Sequence, residues 1–193
     1  MGRRPRVGSQ TGCFHVVARG NNQRAVFGSE SDFLVYQHLL RKYKARCLID
    51  LYHYCLMGNH VHLILRTERI QELSQFMHGI QRSYFLYRKG REKLTGHLWQ
   101  GRYSCFPIED EPYLLECGRY VERNPVQAGI VLKPGDYRWS SYMLYAFGVA
   151  DPLVTISPVY TQFGLTLEQR RVSYQRYVEI TRTNEELKSV PGT

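Results

Sequence analysis

Two histidines one residue apart, His60-Val61-His62, are the best-spaced pair for chemistry in this 193-residue sequence. On a strand, successive side chains point to opposite faces, so both imidazoles share one face while Val61 enters the other. Two neutral ring nitrogens at this spacing can hold one metal ion between them. The bland alternative is a pair of histidines on a sheet surface. Leu63, Ile64 and Leu65 make the same strand apolar, and a polar ring in such a setting is costly unless it finds a partner. A metal is one such partner, and both readings stand at this point.

Tyr120 and Asn124 form a second group. Four residues apart on a helix, they lie about 40° apart around its axis, with Cβ atoms roughly 5–6 Å from one another. Leu114, Cys117 and Val121 supply the neighbouring apolar stripe, so Tyr120 and Asn124 fall at the edge of a helix–sheet contact and can face a strand-borne site. A tyrosine oxygen is a nucleophile, and an asparagine carbonyl oxygen suits a hard or borderline cation such as Mg²⁺ or Mn²⁺. Other roles are open to both. Asn124 precedes Pro125 and can equally punctuate a turn. Tyr113 lies on nearly the same face and is a rival nucleophile, and any one of fifteen tyrosines is more often packing than chemistry.

A third feature is basic charge interleaved with aromatic rings. Arg3, Arg4, Arg6, Arg19 and Arg24 all precede the first acid, Glu30. Arg82, Arg88, Lys89, Arg91, Lys93 and Arg102 alternate with Tyr84, Phe85, Tyr87, Trp99 and Tyr103. Cations neutralise phosphates and aromatic faces stack on unpaired bases, although a solvated helix face and loop has the same composition. Twenty-six lysines and arginines against seventeen acids give a formal charge of +9, which makes nucleic acid the leading polyanionic partner.

These groups need elements to hold them. Alternation over Cys13 to Arg19 predicts a strand, and Ser29 or Ser31 caps a helix running to about Arg46. Strands are expected over Cys47 to Met57 and His60 to Arg66, joined at Gly58-Asn59. A helix from Ile70 to about Lys89, a strand from Leu98 to Ile108, and a helix from Asp110-Glu111-Pro112 towards Asn124-Pro125 complete the set. The order is the split β-α-β pattern of a ferredoxin-like α+β fold, an antiparallel sheet with helices packed on one face. Residues 1–136 make the domain and 137–193 a helical or irregular appendix, with one more helix over Leu167 to Thr183. No apolar run reaches membrane-spanning length, and none of signal-peptide length follows the basic N-terminus. Five scattered cysteines without a C-x-x-C pair point to a reduced compartment. The expected setting is cytoplasmic and nucleoid-associated, with no membrane partner.

The segment from Tyr52 to Ile64 resembles the HUH motif of single-tyrosine transposases, in which U is a bulky apolar residue. Gly118 to Gly129 resembles their nucleophile helix, in the branch called REP-associated tyrosine transposases. Phe14-His15-Val16 with Arg19-Gly20-Asn21-Asn22, the run Leu98 to Tyr103, and the run Tyr137 to Tyr142 match that branch in order and spacing. The resemblance spans roughly residues 12–145. It implies the HUH endonuclease fold, Tyr120 as nucleophile, and His60 and His62 as ligands of Mg²⁺ or Mn²⁺. Asn124 falls at the third ligand, which is glutamine in the insertion-sequence relatives. It also implies cleavage and strand transfer on single-stranded DNA beside imperfect, REP-like hairpins, by a monomer or a homodimer. The alternative is a domesticated protein that binds DNA hairpins without cutting them. Arg3, Arg4, Arg6, Arg19, Arg82, Arg88, Lys89, Arg91, Lys93, Trp99, Arg102 and Tyr103 are the expected DNA contacts.

Overall fold

The computed structural model describes residues 8–91 and 96–180. Strands β1 (Cys13–Arg19), β2 (Asp50–Met57), β3 (His60–Arg66) and β4 (Ser104–Ile108) form one antiparallel sheet in the order β2-β3-β1-β4. This is the ferredoxin-like α+β sheet expected from the element order, but with helices on both faces and not on one. Helices α1 (Glu30–Arg46) and α2 (Ile70–Arg91) cover one face. There Phe14, Val16 and Ala18 of β1 and Val61, Leu63 and Leu65 of β3 meet Tyr36, Leu40, Phe76, Ile80 and Tyr84. Helix α3 (Glu111–Gln127) packs on the other face through Leu114, Cys117, Tyr120 and Val121, against Cys13, Cys55, Met57 and Ile64. Strand parity thus sends His60 and His62 towards α3 while Val61 joins the opposite core. No helix among the described residues is long and apolar enough to cross a membrane.

Several boundaries differ from the sequence expectation; the last predicted helix, over Leu167 to Thr183, ends at Glu179, with residues 181–183 outside the described residues. The second strand starts at Asp50, because Cys47 to Ile49 close α1 through a left-handed turn at Leu48 (φ 47°), with the Ile49 N–H bonded to the Lys44 carbonyl at 3.2 Å. The fourth strand is confined to Ser104–Ile108; before it, Trp99 makes a lone bridge to Gly20 and the chain turns at Gly101 (φ 130°). Helix α3 passes through Pro125 to Gln127, because a proline in the last turn interrupts only one ladder bond before Gly129 (φ 66°) ends the segment.

Residues after 136 pack closely on the sheet and on α3. The outer rim of β2 is covered: Leu56 N–H donates to the Trp139 carbonyl (2.9 Å), Ser141 N–H to that of Tyr54 (3.0 Å), and Thr155 N–H to that of Leu51 (2.8 Å). Helices α4 (Tyr142–Phe147) and α5 (Leu167–Glu179) share a tyrosine-rich core of Tyr142, Tyr145, Tyr160 and Tyr174. A bulge between Leu51 and His53 turns His53 towards α3. There Glu122, fully buried, accepts from His53 Nδ1 (2.9 Å), Ser141 Oγ (2.8 Å) and the Tyr174 hydroxyl (2.6 Å). Arg119, also buried, donates to the carbonyls of Tyr177 and Ile180, and Arg123 donates to those of Val178 and Glu179. Two guanidinium groups of α3 thereby satisfy the last carbonyls of α5, the end where helix dipoles favour positive charge.

Gly118 makes the close approach of β2 and α3 possible, because a Cβ there would lie 2.9 Å from His53 Nε2. Gly118→Ala is therefore expected to push His53 off Glu122 and lower stability by about 1–3 kcal/mol, read as a fall in the thermal midpoint. An unchanged midpoint would show that the ring can move aside at no cost.

Candidate active site

The site lies on the α3 face, where β1 and β3 run side by side with Arg19 opposite His60 and Val17 opposite His62. The rings of His60 and His62 stand 4.8 Å apart between centroids. Tyr120 of α3 meets His62 edge-on, its centroid 5.7 Å from that of the imidazole. Asn124, one turn further on, donates through Nδ2 to the Tyr120 carbonyl at 3.0 Å. It also bears on the protonation of the Tyr120 phenol and of His60. Tyr120, Asn124, His60 and His62 are thus brought together within a single chain. Tyr113, the rival, lies beside Cys117.

One member of the cluster is absent from the sequence-based set. His15 of β1 is fully buried, with Nε2 3.0 Å from His62 Nδ1, and its ring stacks on His62 and meets Tyr120 edge-on at 5.9 Å. The available signal was its position on the strand: His15 interrupts an apolar run and shares a face with Arg19.

The hydrogen bonds occupy Nδ1 on both candidate ligands. His60 Nδ1–H donates to Asn59 Oδ1 at 2.6 Å, which leaves the lone pair on Nε2. His62 uses Nδ1 towards His15, and its buried Nε2 has no hydrogen-bond partner among the described residues. Burial, reinforced by the Arg19 charge, holds His60 down to about 4. Burial first, then the neighbouring His15, His60 and Arg19, hold His62 well below the usual imidazole range. Both rings are neutral at pH 7, as metal ligands must be. Burial raises the Tyr120 phenol, while the Asn124 hydrogen bond and the Arg19 cation oppose that rise. Among the described residues no group of three or more His, Cys, Asp or Glu side chains is placed to hold a metal. The side chains that could supply donors to one are His60, His62 and Asn124, through two imidazole nitrogens and an amide oxygen.

The expected DNA contacts divide. Arg19 reaches the site electrostatically, and Arg82, Lys89, Arg91 and Arg102 are exposed. Trp99 is half-buried, with its indole N–H on the Gln81 carbonyl. Two corrections follow from burial. Arg88 is only 4% exposed, lies 3.5 Å from Asp32 and donates to the Val26 carbonyl, so it ties α2 to the start of α1 and presents no charge to a ligand. Tyr103 is packed into the core beneath α1 and α2. Arg3, Arg4, Arg6 and Lys93 lie outside the described residues.

A four-stranded antiparallel sheet that presents paired histidines to a tyrosine-bearing helix defines an α+β class in which side chains of strands and a helix converge at one end of the sheet. Residues 9–124 match the family model described as "Transposase IS200 like". The chain belongs to that family of DNA-processing proteins. No curated protein sequence matches it. Its fold is similar to that of a REP-associated tyrosine transposase solved bound to a REP hairpin, with a TM-score of 0.65 and 19% identity over 82% of this chain and 93% of the other. A protein of Deinococcus radiodurans R1 assigned as a transposase is similar at a TM-score of 0.44 and 16% identity, over 67% of this chain and 95% of that one.

Proposed function

We propose that this chain is a metal-dependent single-stranded DNA endonuclease and strand-transferase that acts beside DNA hairpins. The observation that carries the reading is the packing of the Tyr120 ring against His15 and His62, with Asn124 one helical turn further on and bonded to the Tyr120 carbonyl. Family membership supports DNA processing, and the hairpin partner is taken from the REP-hairpin complex of the similar transposase.

His60 Nε2, His62 Nε2 and Asn124 Oδ1 would hold the cation. A bound Mg²⁺ or Mn²⁺ supplies Lewis-acid polarisation of the scissile phosphate and offsets its charge. The Tyr120 oxygen attacks phosphorus, the bond from phosphorus to the 3′ oxygen breaks, and the proton lost by the phenol ends on that oxygen. The products are a 5′-phosphotyrosine and a free 3′-hydroxyl. Attack by a second 3′-hydroxyl reverses the step on a new strand, so bond energy is conserved and no nucleotide cofactor is consumed. Arg19 and Asn124 assist by stabilising negative charge on the phenolic oxygen as the proton leaves.

Incubating labelled hairpin DNA carrying single-stranded flanks with the protein and Mn²⁺, followed by a denaturing gel, tests this directly. A covalent protein–DNA band is expected. Salt-sensitive binding with no such band identifies the non-cleaving hairpin binder instead. His60→Ala is expected to weaken Mn²⁺ affinity about 10- to 100-fold by titration calorimetry and to suppress the covalent band, while leaving hairpin binding in place. Undiminished Mn²⁺ affinity in that variant removes His60 from the ligand set.

A further inference from the structure

A second concave surface lies at the same end of the sheet, on its α2 side. It encloses about 500 Å³ between α2 and the segment from Leu98 to Gly101. Phe85 and Trp99 give it aromatic walls, Arg82 stands on its rim, and Gln81 and Gln100 contribute amides. His78 and His97 add two imidazoles, and none of the described residues that line it is acidic.

Two observations distinguish this cavity from an ordinary surface dent. Gln81 Nε2 is buried and has no hydrogen-bond partner among the described residues, so an amide donor at the cavity lacks an acceptor. Trp99 is held rigidly, with Nε1 on the Gln81 carbonyl at 3.1 Å and its ring 6.3 and 6.1 Å from those of Tyr36 and Tyr84. A fixed aromatic face with amides and a cation around it recognises a planar, polar-edged, anionic ligand.

The backbone connects this cavity to the tyrosine site. Gln100 N–H donates to the Arg19 carbonyl at 2.9 Å, and Asn21 N–H donates to that of Leu98 at 2.8 Å. The side chain of Arg19 acts on Tyr120 and His60 from the other face. The main chain of residues 19–21 therefore separates the two recesses.

We infer that this cavity binds an unpaired nucleobase of the single strand that flanks the hairpin, stacked on Trp99 and Phe85, with its edge read by Gln81 and Gln100 and its phosphate met by Arg82. The inference rests on the DNA-cleaving reading above for the identity of the strand. Its test does not depend on cleavage.

Trp99 and Trp139 are the two tryptophans, so Trp139→Phe leaves Trp99 as the sole indole reporter. Into that variant, single-stranded oligothymidylate and an abasic sugar–phosphate strand of equal length are titrated separately. Oligothymidylate is expected to quench Trp99 emission and to bind about tenfold tighter than the abasic strand. Phe85→Leu, added to the same background, is expected to cost most of that tenfold, and Arg82→Gln to weaken both strands alike. Equal binding of the two strands, or binding without a change in Trp99 emission, overturns the inference. The covalent-adduct gel run on the same proteins separates the two readings. Adduct formation with no preference for the base-bearing strand removes the cavity and keeps the enzyme. A base preference without any adduct does the reverse.

Discussion

Tyr120→Phe is expected to bind hairpin DNA about as tightly as the unaltered chain and to form no covalent adduct with it. The substitution removes one oxygen and leaves the ring, which is what packs edge-on against His15 and His62. Asn124 keeps its own bond to the backbone carbonyl of residue 120, so the turn of α3 that carries both groups stays in place. Loss of a covalent nucleophile costs about four orders of magnitude or more, far beyond any effect of altered packing here. A gel with Mn²⁺ and labelled hairpin DNA measures the adduct, and a filter assay measures binding. Tyr113→Phe, altered beside Cys117, serves as the control and is expected to retain the adduct. Adduct in the Tyr120 variant and none in the Tyr113 variant would reverse the assignment.

The largest stability effect is expected at Glu122. Its carboxylate has no exposed surface and takes three hydrogen bonds, from β2, from the segment preceding α4 and from α5. Truncation in Glu122→Ala strands all three donors in the interior at once and leaves a void where the side chain was. A loss of about 3–5 kcal/mol follows, a large part of the stability of a typical domain and about 10 °C in the thermal midpoint. Glu122→Gln keeps the shape and one acceptor oxygen, so about 1–2 kcal/mol is expected. Thermal melts of the two variants check the order. Equal and small losses would mean that the tail and α3 are held mainly by the apolar contacts around Tyr145 and Tyr174.

What could be read from residue order follows from how local each constraint is. Period-two alternation was enough to put His60 and His62 on one face, and the four-residue spacing was enough to put Asn124 over Tyr120. Those relations need only one strand and one turn of helix. His15 was not legible in the same way, because its meeting with His62 depends on the register between β1 and β3, forty-seven residues apart. Arg88 illustrates the converse. As a lysine- and arginine-rich helix end it reads as solvent-facing, yet Asp32, whose carboxylate accepts from the N–H of the α1 N-cap Ser29, draws it inside. Arg119 and Glu122 likewise read as the polar side of α3. Only the return of the chain after residue 136 buries them, and that return is a long-range event with no local signature. Part of the excess of tyrosine is explained by the same return, since Tyr145, Tyr160 and Tyr174 of the tail core bond their hydroxyls to main-chain carbonyls or to Glu122.

The covered rim of β2 constrains what shortened forms of the chain can reveal. Cutting at residue 136 bares the N–H of Leu56 and the carbonyls of Tyr54 and Leu51 along a row beside Tyr52 and Cys55. Such a row templates strand-to-strand polymerisation between molecules. Precipitation of a truncated protein would then report self-adhesion at that rim, and the tail's duty as a fender for the sheet must be separated from any part it plays in chemistry. Among the described residues the other edge of the sheet is β4, where Pro107 removes one backbone N–H from a short run.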